Sequence, residues 1–343
     1  MAVRDGERFL DAALASIAAQ TLADFEIILV DNGSRDGTTR IIAEWQKRDP
    51  RLRALRHDRP GLAGSLIIAA SAARAPFLAR LDADDIALPD RLALQHAEMM
   101  RRPSLGLLGS SVELIDRDGR VLGKRRMAVA DHELREFLTT RNPFSHSTIM
   151  MRRDAYERAG GYRPGLRIGE DFDLWCRMSE VAEIGNIERP LVRYRVHDAA
   201  MSSRQPVRMM IAEQCILAAT RARSRAIPEP FRNGVPRLRN ALAIRGVERA
   251  TFLYDVLTIT TVAARLALRD NDRAKALRLR RRAFGILRAM PARAVLHHGL
   301  WRVLGMYFKP ASRNRVRSWF GNRRRNPPPE AQEAVARRPP AAR

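Results

Sequence analysis

An apolar run of six residues, Phe25 to Val30 (FEIILV), stops abruptly at Asp31-Asn32-Gly33 and lies between two segments of helical period. Such a run, bounded by polar turn residues, is a buried strand rather than part of a longer helix. Before it, Phe9, Leu10, Ala13, Leu14, Ile17 and Ala18 predict a helix over 7–20. After it, the polar turn SRDGT at 34–38 starts a second helix marked by Ile41, Ile42 and Trp45. The alternation continues with a weak strand over 52–55, a small-residue helix over 62–73 and a strand over 76–81. Pro89 stands where the first position of a helix favours proline, leading into LALQHAEMM. From Leu105 onward the pattern changes to hairpin-like strands, with Asp118-Gly119 as a turn. The expectation is an α/β chain whose first half is a doubly wound, Rossmann-like parallel sheet and whose second half makes the sheet mixed. Ligands of such sheets sit beyond the carboxyl ends of the strands.

One strand is short of expectation. Only Met1, Ala2 and Val3 precede the turn Arg4-Asp5-Gly6, where this architecture wants an apolar strand ahead of the first helix. Either the strand's codons lie in frame upstream of Met1 or the chain is crippled, and the first is the favoured expectation.

Composition excludes several classes. Two cysteines among 343 residues cannot build a disulfide framework and suit a reducing compartment. The opening MAVRDGERFL has no long apolar core, so no secretory signal is predicted. The longest uncharged run, 60–73, is too short for a membrane span, which takes about 20 apolar residues. The net charge of +24 is divided unevenly: residues 1–200 carry +1 and residues 201–343 carry +23.

Three acidic clusters fall at predicted strand ends or helix starts. DNGSRDGT at 31–38 offers hydrogen-bonding groups at a sheet edge, but equally fits a plain strand-to-helix turn capped by Ser34 or Asp36. LDADDIALPDR at 81–91 places Asp82, Asp84 and Asp85 together. Three adjacent carboxylates repel one another unless a counter-charge is present, and a hard divalent cation such as Mg²⁺ or Mn²⁺ would supply it. The plainer reading is a solvated turn ahead of a helix. GEDFDLWCR at 169–177 puts Glu170, Asp171 and Asp173 in the first turn of a helix, where the dipole alone favours carboxylates. The functional reading is a general base beside a metal site.

Together these stretches resemble the family 2 glycosyltransferases, which have the GT-A fold. The resemblance is carried, in order, by FEIILVDNGSRDGT (25–38), ARLDADDIALPDRL (79–92), SHSTIMMRR (145–153) with AGGY (159–162), GEDFDLWCR (169–177), and YRVH (194–197) with a serine pair at 202–203. It covers residues 1 to about 203. It implies that Asp31 and Asn32 line the pocket for the nucleotide base, and that Asp82 and Asp84 are the DxD pair. Asp84 would hold the metal on the diphosphate and Asp82 would meet ribose or sugar. Asp171 would be the base that deprotonates the acceptor hydroxyl, with Glu170 and Trp175 shaping the acceptor pocket. His197, Arg193 and Arg195 are candidates to touch metal or diphosphate, although a structural histidine suits position 197 equally well. His57, His96, His132 and His146 read as structural, and Gly160-Gly161 as a helix end and turn. The implied activity is inverting, Mn²⁺- or Mg²⁺-dependent transfer of a sugar from a nucleoside-diphosphate donor to a hydroxyl acceptor, a lipid-linked glycan of the bacterial envelope among the candidates.

The expected organisation is a catalytic domain over 1–203, a basic helical region over 204–310 and a disordered Pro/Arg-rich tail over 311–343. Helices are predicted at 207–226, 236–249, 251–269, 272–289 and 292–307. Their charge suits a solvated basic face, or attachment to an anionic membrane with Trp301, Phe308, Trp319 and Phe320 as anchors. The corresponding location is the cytoplasm, peripheral at the inner face of the cytoplasmic membrane. The competing class is a nucleic-acid-binding protein with a decayed front half, since phosphate affinity is largely electrostatic. A nucleotidyltransferase is a third reading. The near-neutral front half with its carboxylates intact favours the enzyme.

Overall fold

The computed structural model describes residues 1–59, 61–197, 206–232 and 235–236, and the single positions 241, 244, 245, 277 and 281. The FEIILV run becomes β2 (Ile27–Asp31), fully buried along its length. It pairs in parallel with β1 (Ala2–Val3) on one side and β3 (Leu52–Arg56) on the other. The strand read as missing is therefore present in shortened form. Ala2 and Val3 are both buried, in register with Val30 and Asp31, and the Met1 ammonium donates 2.8 Å to the Ile28 carbonyl like a further rung of the ladder.

Helices α1 (Leu10–Ala18), α2 (Thr38–Arg48) and α3 (Leu62–Ala72) follow the predicted order. Val3, Leu10, Leu14, Leu29, Ile41 and Ile42 form one apolar layer between the first two helices and the sheet.

A second, mixed sheet runs in the order β4 (Phe77–Ala79), β8 (Met150–Arg152), β6 (Leu105–Ile115), β9 (Glu183–Arg195) and β5 (Ile86–Ala87). β7 (Val121–Arg125) pairs with β6 through the expected Asp118-Gly119 turn, where Gly119 has φ +88°. β6 and β9 run parallel over nearly their whole length, and the other pairings of this sheet are antiparallel. Pro89 lies outside its helix, because α4 (Arg91–Arg101) has Asp90 as N-cap. The first-turn N–H of Leu92 is instead met by the Gln20 side chain at 3.0 Å.

Helices α5 (Asp131–Leu138), α6 (Arg153–Arg158) and α7 (Glu170–Val181) cover the second sheet. α6 ends at Gly160 and Gly161, both with positive φ, as expected of a helix end followed by a turn. Trp175 on α7, Phe144, Leu107 and Met151 belong to the larger core, and that core also takes in Ala212, Ile216 and Leu217 of α8 (Pro206–Ser224). α8 thus belongs, with the sheets, to a compact unit that runs Met1–Phe252. A two-strand ladder, β10 (Phe231–Arg232) with β11 (Val235–Pro236), follows α8. Its second strand stands where the helix over 236–249 was expected to start. The predicted helices beyond it and the tail over 311–343 lie outside the described residues, save for the single positions given above.

Candidate active site

The acidic residues of 82–85 converge just beyond the carboxyl end of β4, the sheet position where ligands of α/β folds collect. One carboxylate oxygen from each of Asp82, Asp84 and Asp85 lies within 4.8 Å of the others. Their environments differ. Asp82 is half-buried and pairs with the buried guanidinium of Arg80, two residues back on the same chain segment. Burial pushes the Asp82 carboxyl up, but Arg80 outweighs it and holds the group at about 2. Asp85 is 1% exposed; burial, then the charges of Asp82 and Asp84, push its carboxyl well above the usual range. Its oxygens accept from Ser147 Oγ and from the Arg195 backbone N–H, the latter at 2.7 Å. Asp84 is also raised, by burial and then by Asp82, against the pull of His197 Nε2, 2.9 Å from its Oδ2. His197 packs against the Phe9 ring with centroids 5.3 Å apart. The repulsion that the sequence assigned to a cation is thus met in part from within the chain, by Arg80 and His197.

Arg80 and Ser147 are the residues that the sequence reading missed. Ser147 Oγ stands 2.9 Å from Asp82 Oδ2 and accepts the Asp82 backbone N–H at 3.1 Å, so it ties the strand end to the 3₁₀ turn His146–Thr148. Both residues lie inside the quoted stretches, ARLDADD and SHSTIMM. The usable signal was an arginine directly at the end of an apolar strand, ahead of three carboxylates that need a counter-charge. Behind Arg80, the buried Arg91 donates to the Arg80 and Ile149 carbonyls; burial and the Arg80 charge push it down to about 9.

Glu170 and Asp171 open α7 after Gly169, whose φ of +79° suits glycine. A side chain at 169 would also meet Ile216 Cδ1 of α8 at 2.7 Å from its Cβ. Glu170 is buried and its carboxyl is pushed up to about 8, first by burial and then by the neighbouring Asp171. Burial raises Asp171 as well, opposed by the Phe172 N–H, the Arg80 charge and a 2.9 Å hydrogen bond from Asn142 Nδ2. The field of Arg80 therefore reaches the acidic cluster and the start of α7 alike. Asp173, the third acid of that turn, is wholly buried and held by Arg163 and Arg177.

Other expected site residues are engaged differently. Asp31 Oδ1 accepts from the Ser34 N–H and hydroxyl at 3.0 and 2.6 Å. Asn32 spends its amide on the His57 and Arg59 carbonyls, at 3.1 and 2.9 Å, and so holds the loop after β3. Arg195, expected at the diphosphate, is buried: it donates to the carbonyls of Asp84, Asp116 and Arg117. Arg193 is turned to Glu113 at 3.2 Å. Trp175, expected to shape a pocket wall, is 0% exposed, edge-on to Phe144 and His146. It supports the site from below. His146 is half-buried and hydrogen-bonded to the Tyr162 hydroxyl at 2.8 Å. A cleft of about 620 Å³ opens between β2 and β4; Arg80 and Arg91 are on its wall, but none of Asp82, Asp84, Asp85, Glu170 or Asp171 is. The acids do not converge there.

Comparison with known proteins agrees with this geometry. The description "Glycosyl transferase family 2" matches residues 1–160. The putative glycosyltransferase EpsE of Bacillus subtilis is 32% identical over 209 residues, which are 60% of this chain and 74% of that protein. The chain belongs to glycosyltransferase family 2. It is a glycosyltransferase whose sheet carries the acidic cluster at the expected edge. The O-antigen biosynthesis glycosyltransferase WbnJ of Escherichia coli is 29% identical over 203 residues, 58% of this chain and 78% of WbnJ. Among solved structures, Staphylococcus aureus TarS 1–349 in complex with UDP-GlcNAc superposes with a TM-score of 0.54 at 16% identity, over 84% of this chain and 90% of that one. That likeness establishes a GT-A-like fold. The family match ends at residue 160, before α7.

Proposed function

We propose that this glycosyltransferase performs inverting transfer of a sugar from a nucleoside-diphosphate donor to an acceptor hydroxyl, in synthesis of an envelope polysaccharide or glycolipid. The observation that carries the reading is the clustering of Asp82, Asp84 and Asp85 within 4.8 Å at a strand end, with Asp171 in the field of the same arginine. Asp171 is the general base. Burial raises its proton affinity toward that of a useful base, and Asn142 fixes one oxygen, so the other chemistry required of it is to take the acceptor's proton. Glu170, pushed up to about 8 by burial and by the neighbouring Asp171, holds its proton more tightly than an exposed glutamate. Asp31 and Asn32 stand at the nucleotide-base end, with Asn32 acting through the loop that it anchors.

Asp82 and Asp84 offer half-exposed oxygen donors and His197 an imidazole nitrogen, a set that fits Mn²⁺ or Mg²⁺. Burial and the Asp82 charge raise the Asp84 carboxyl despite His197, so a further positive charge would be accommodated there. A bound cation would neutralise the charge of the departing diphosphate. Arg195 serves by holding Asp84 and Asp85 in place rather than by touching the donor.

The donor class is supported by the neighbour solved with UDP-GlcNAc. The envelope role is supported by WbnJ and by the amylovoran biosynthesis glycosyltransferase AmsE of Erwinia amylovora, 28% identical over 74% of its length. A lipid-linked acceptor and a peripheral position on the inner face of the cytoplasmic membrane accord with the +23 of residues 201–343. No helix of the described residues is long and apolar enough to cross a membrane. The proposed domain division keeps catalysis in the first compact unit.

The test is a screen of nucleotide sugars by diphosphate release, with and without Mn²⁺ or Mg²⁺, on the wild type, Asp84→Ala and Asp171→Asn. Asp84→Ala should abolish cation-dependent donor binding measured by calorimetry. Asp171→Asn should bind donor normally and lose transfer by about 10²–10⁴-fold. Near-normal turnover of Asp171→Asn would remove it as the base.

A further inference from the structure

The β6–β7 hairpin has a composition that neither sheet packing nor the transfer reaction uses. Across 117–126 (RDGRVLGKRR) five residues are cationic and one is acidic, and every position but Gly123 is exposed. Val121 and Leu122 are 56% and 59% exposed at its tip. Their exposure is built into the backbone. Asp116 Oδ1 accepts the N–H groups of Asp118 and Arg120, at 2.9 Å each, which closes the turn. The register then slips: Ile115 faces Val121 and Leu114 faces Gly123, so Leu122 is an extra residue with no partner across the ladder. β7 pairs only with β6 among the described strands, so its outer edge is open. No carboxylate among the described residues forms an ion pair with Arg117 or Arg126, while the Arg120 charge acts on Asp116 and Lys124 lies 3.8 Å from Glu113.

We propose that this hairpin tip docks on an anionic lipid surface, with Val121 and Leu122 entering the interface and the surrounding arginines meeting headgroup phosphates. Two adjacent exposed aliphatics ringed by cations match that surface, which offers hydrocarbon under a layer of negative charge. A nucleic-acid strand is a poorer match, because bases are held by aromatic platforms and the tip has none. The docking would orient the site: Arg195 donates both to the Asp116 and Arg117 carbonyls at the hairpin base and to the Asp84 carbonyl in the acidic cluster. The acidic cluster is thereby tied to the hairpin that meets the membrane, an orientation that rests on the lipid-linked acceptor proposed above. This surface is distinct from the basic region beyond residue 200, and it does not depend on the transfer reaction.

Both native cysteines are buried, so a single engineered thiol can be labelled selectively. Full-length Leu122→Cys carrying an environment-sensitive fluorophore is mixed with vesicles of phosphatidylcholine alone or with phosphatidylglycerol, at low and high salt. A label at Glu157→Cys, exposed on α6, is the control. The expected result is a blue shift at 122 with anionic vesicles only, reduced by salt, and none at 157. Unlabelled Arg117→Gln/Arg120→Gln/Arg126→Gln should lose roughly 10²-fold in vesicle partitioning, about fivefold per cation, and retain wild-type transfer to a soluble acceptor. If the chain sediments with anionic vesicles while the label at 122 stays in water, attachment runs through the C-terminal basic region and the proposal fails. A response at 122 to RNA but not to vesicles would overturn it as well.

Discussion

At the scale of single residues, the site is governed by how each carboxyl group is compensated. Asp82 has a guanidinium, Asp84 an imidazole, and Asp85 a hydroxyl and a backbone N–H. Arg80 pairs directly with Asp82 and its charge reaches Asp85, and removing a buried ion-pair member leaves its partner uncompensated. Arg80→Ala should therefore cost about 3–5 kcal/mol of stability, measured by denaturant titration. A loss below 1 kcal/mol would mean that water takes over its role. Glu170 gives a pH signature. Its carboxyl titrates near 4.5 when unfolded and at about 8 when folded, so between those values the native chain holds a proton that the unfolded chain has released. Its contribution to stability is complete below the lower value and is lost as pH rises through the upper one. Glu170→Gln should flatten the decline of melting temperature across that window. An unchanged slope would assign it to another group.

At the scale of elements, α7 is the piece that must be placed accurately, because it carries Glu170 and Asp171 at its first turn. Two features set its start: the left-handed backbone of Gly169 and the close approach of Ile216 from α8. Gly169→Ala meets both. The conformational part alone costs about 1–2 kcal/mol, and the steric part adds to it. Ile216→Ala in the same chain should recover the steric part and leave the conformational part, a non-additivity readable in a double-mutant cycle. Strict additivity would show that α7 and α8 do not press on each other there. The element pattern was largely legible beforehand. FEIILV, the helical periods around it and the Asp118-Gly119 hairpin all stand where local chemistry put them. Pro89 did not, because Gln20, 72 residues from Leu92, takes over part of the capping of α4.

At the scale of the whole molecule, the family resemblance extends to about residue 203, and α8 beyond it packs into the same core. Ala212, Cys215, Ile216 and Leu217 are all nearly or wholly buried, each apolar side chain of that size contributing on the order of 1–3 kcal/mol. Their sum rivals the entire stability of a typical domain. A chain ending at 203 should accordingly be insoluble or lack a cooperative thermal transition, while one ending at 252 should fold and melt cooperatively. Equal melting temperatures for the two would show that α8 is dispensable. The charge division has a separate consequence. The chain ending at 252 loses much of the +23 carried by 201–343, so its solubility and ion-exchange retention should depend far less on salt than those of the full chain.

What the sequence determined by itself is whatever local chemistry encodes. Apolar runs ending in Asp, Asn and Gly make strands that deliver carboxylates to one sheet edge. An acidic first turn after glycine makes the start of α7, and the order of five such stretches is enough to place the chain in its family. Tertiary structure decided which of those groups are compensated and by what. The contacts concerned, Ser147 with Asp82, Arg195 with Asp85 and His197 with Asp84, join residues 65, 110 and 113 positions apart. No periodicity or turn signal spans such separations. The same reason covers Trp175 and Arg195. Trp175 was expected to shape the acceptor pocket and Arg195 to touch metal or diphosphate, but core packing buries the first, and backbone carbonyls, two of them from the β6–β7 hairpin, occupy the second. The burial that raises Glu170 and Asp171 is likewise a property of the packed chain, since a carboxyl group's proton affinity follows the solvent and charge around it rather than its neighbours along the backbone.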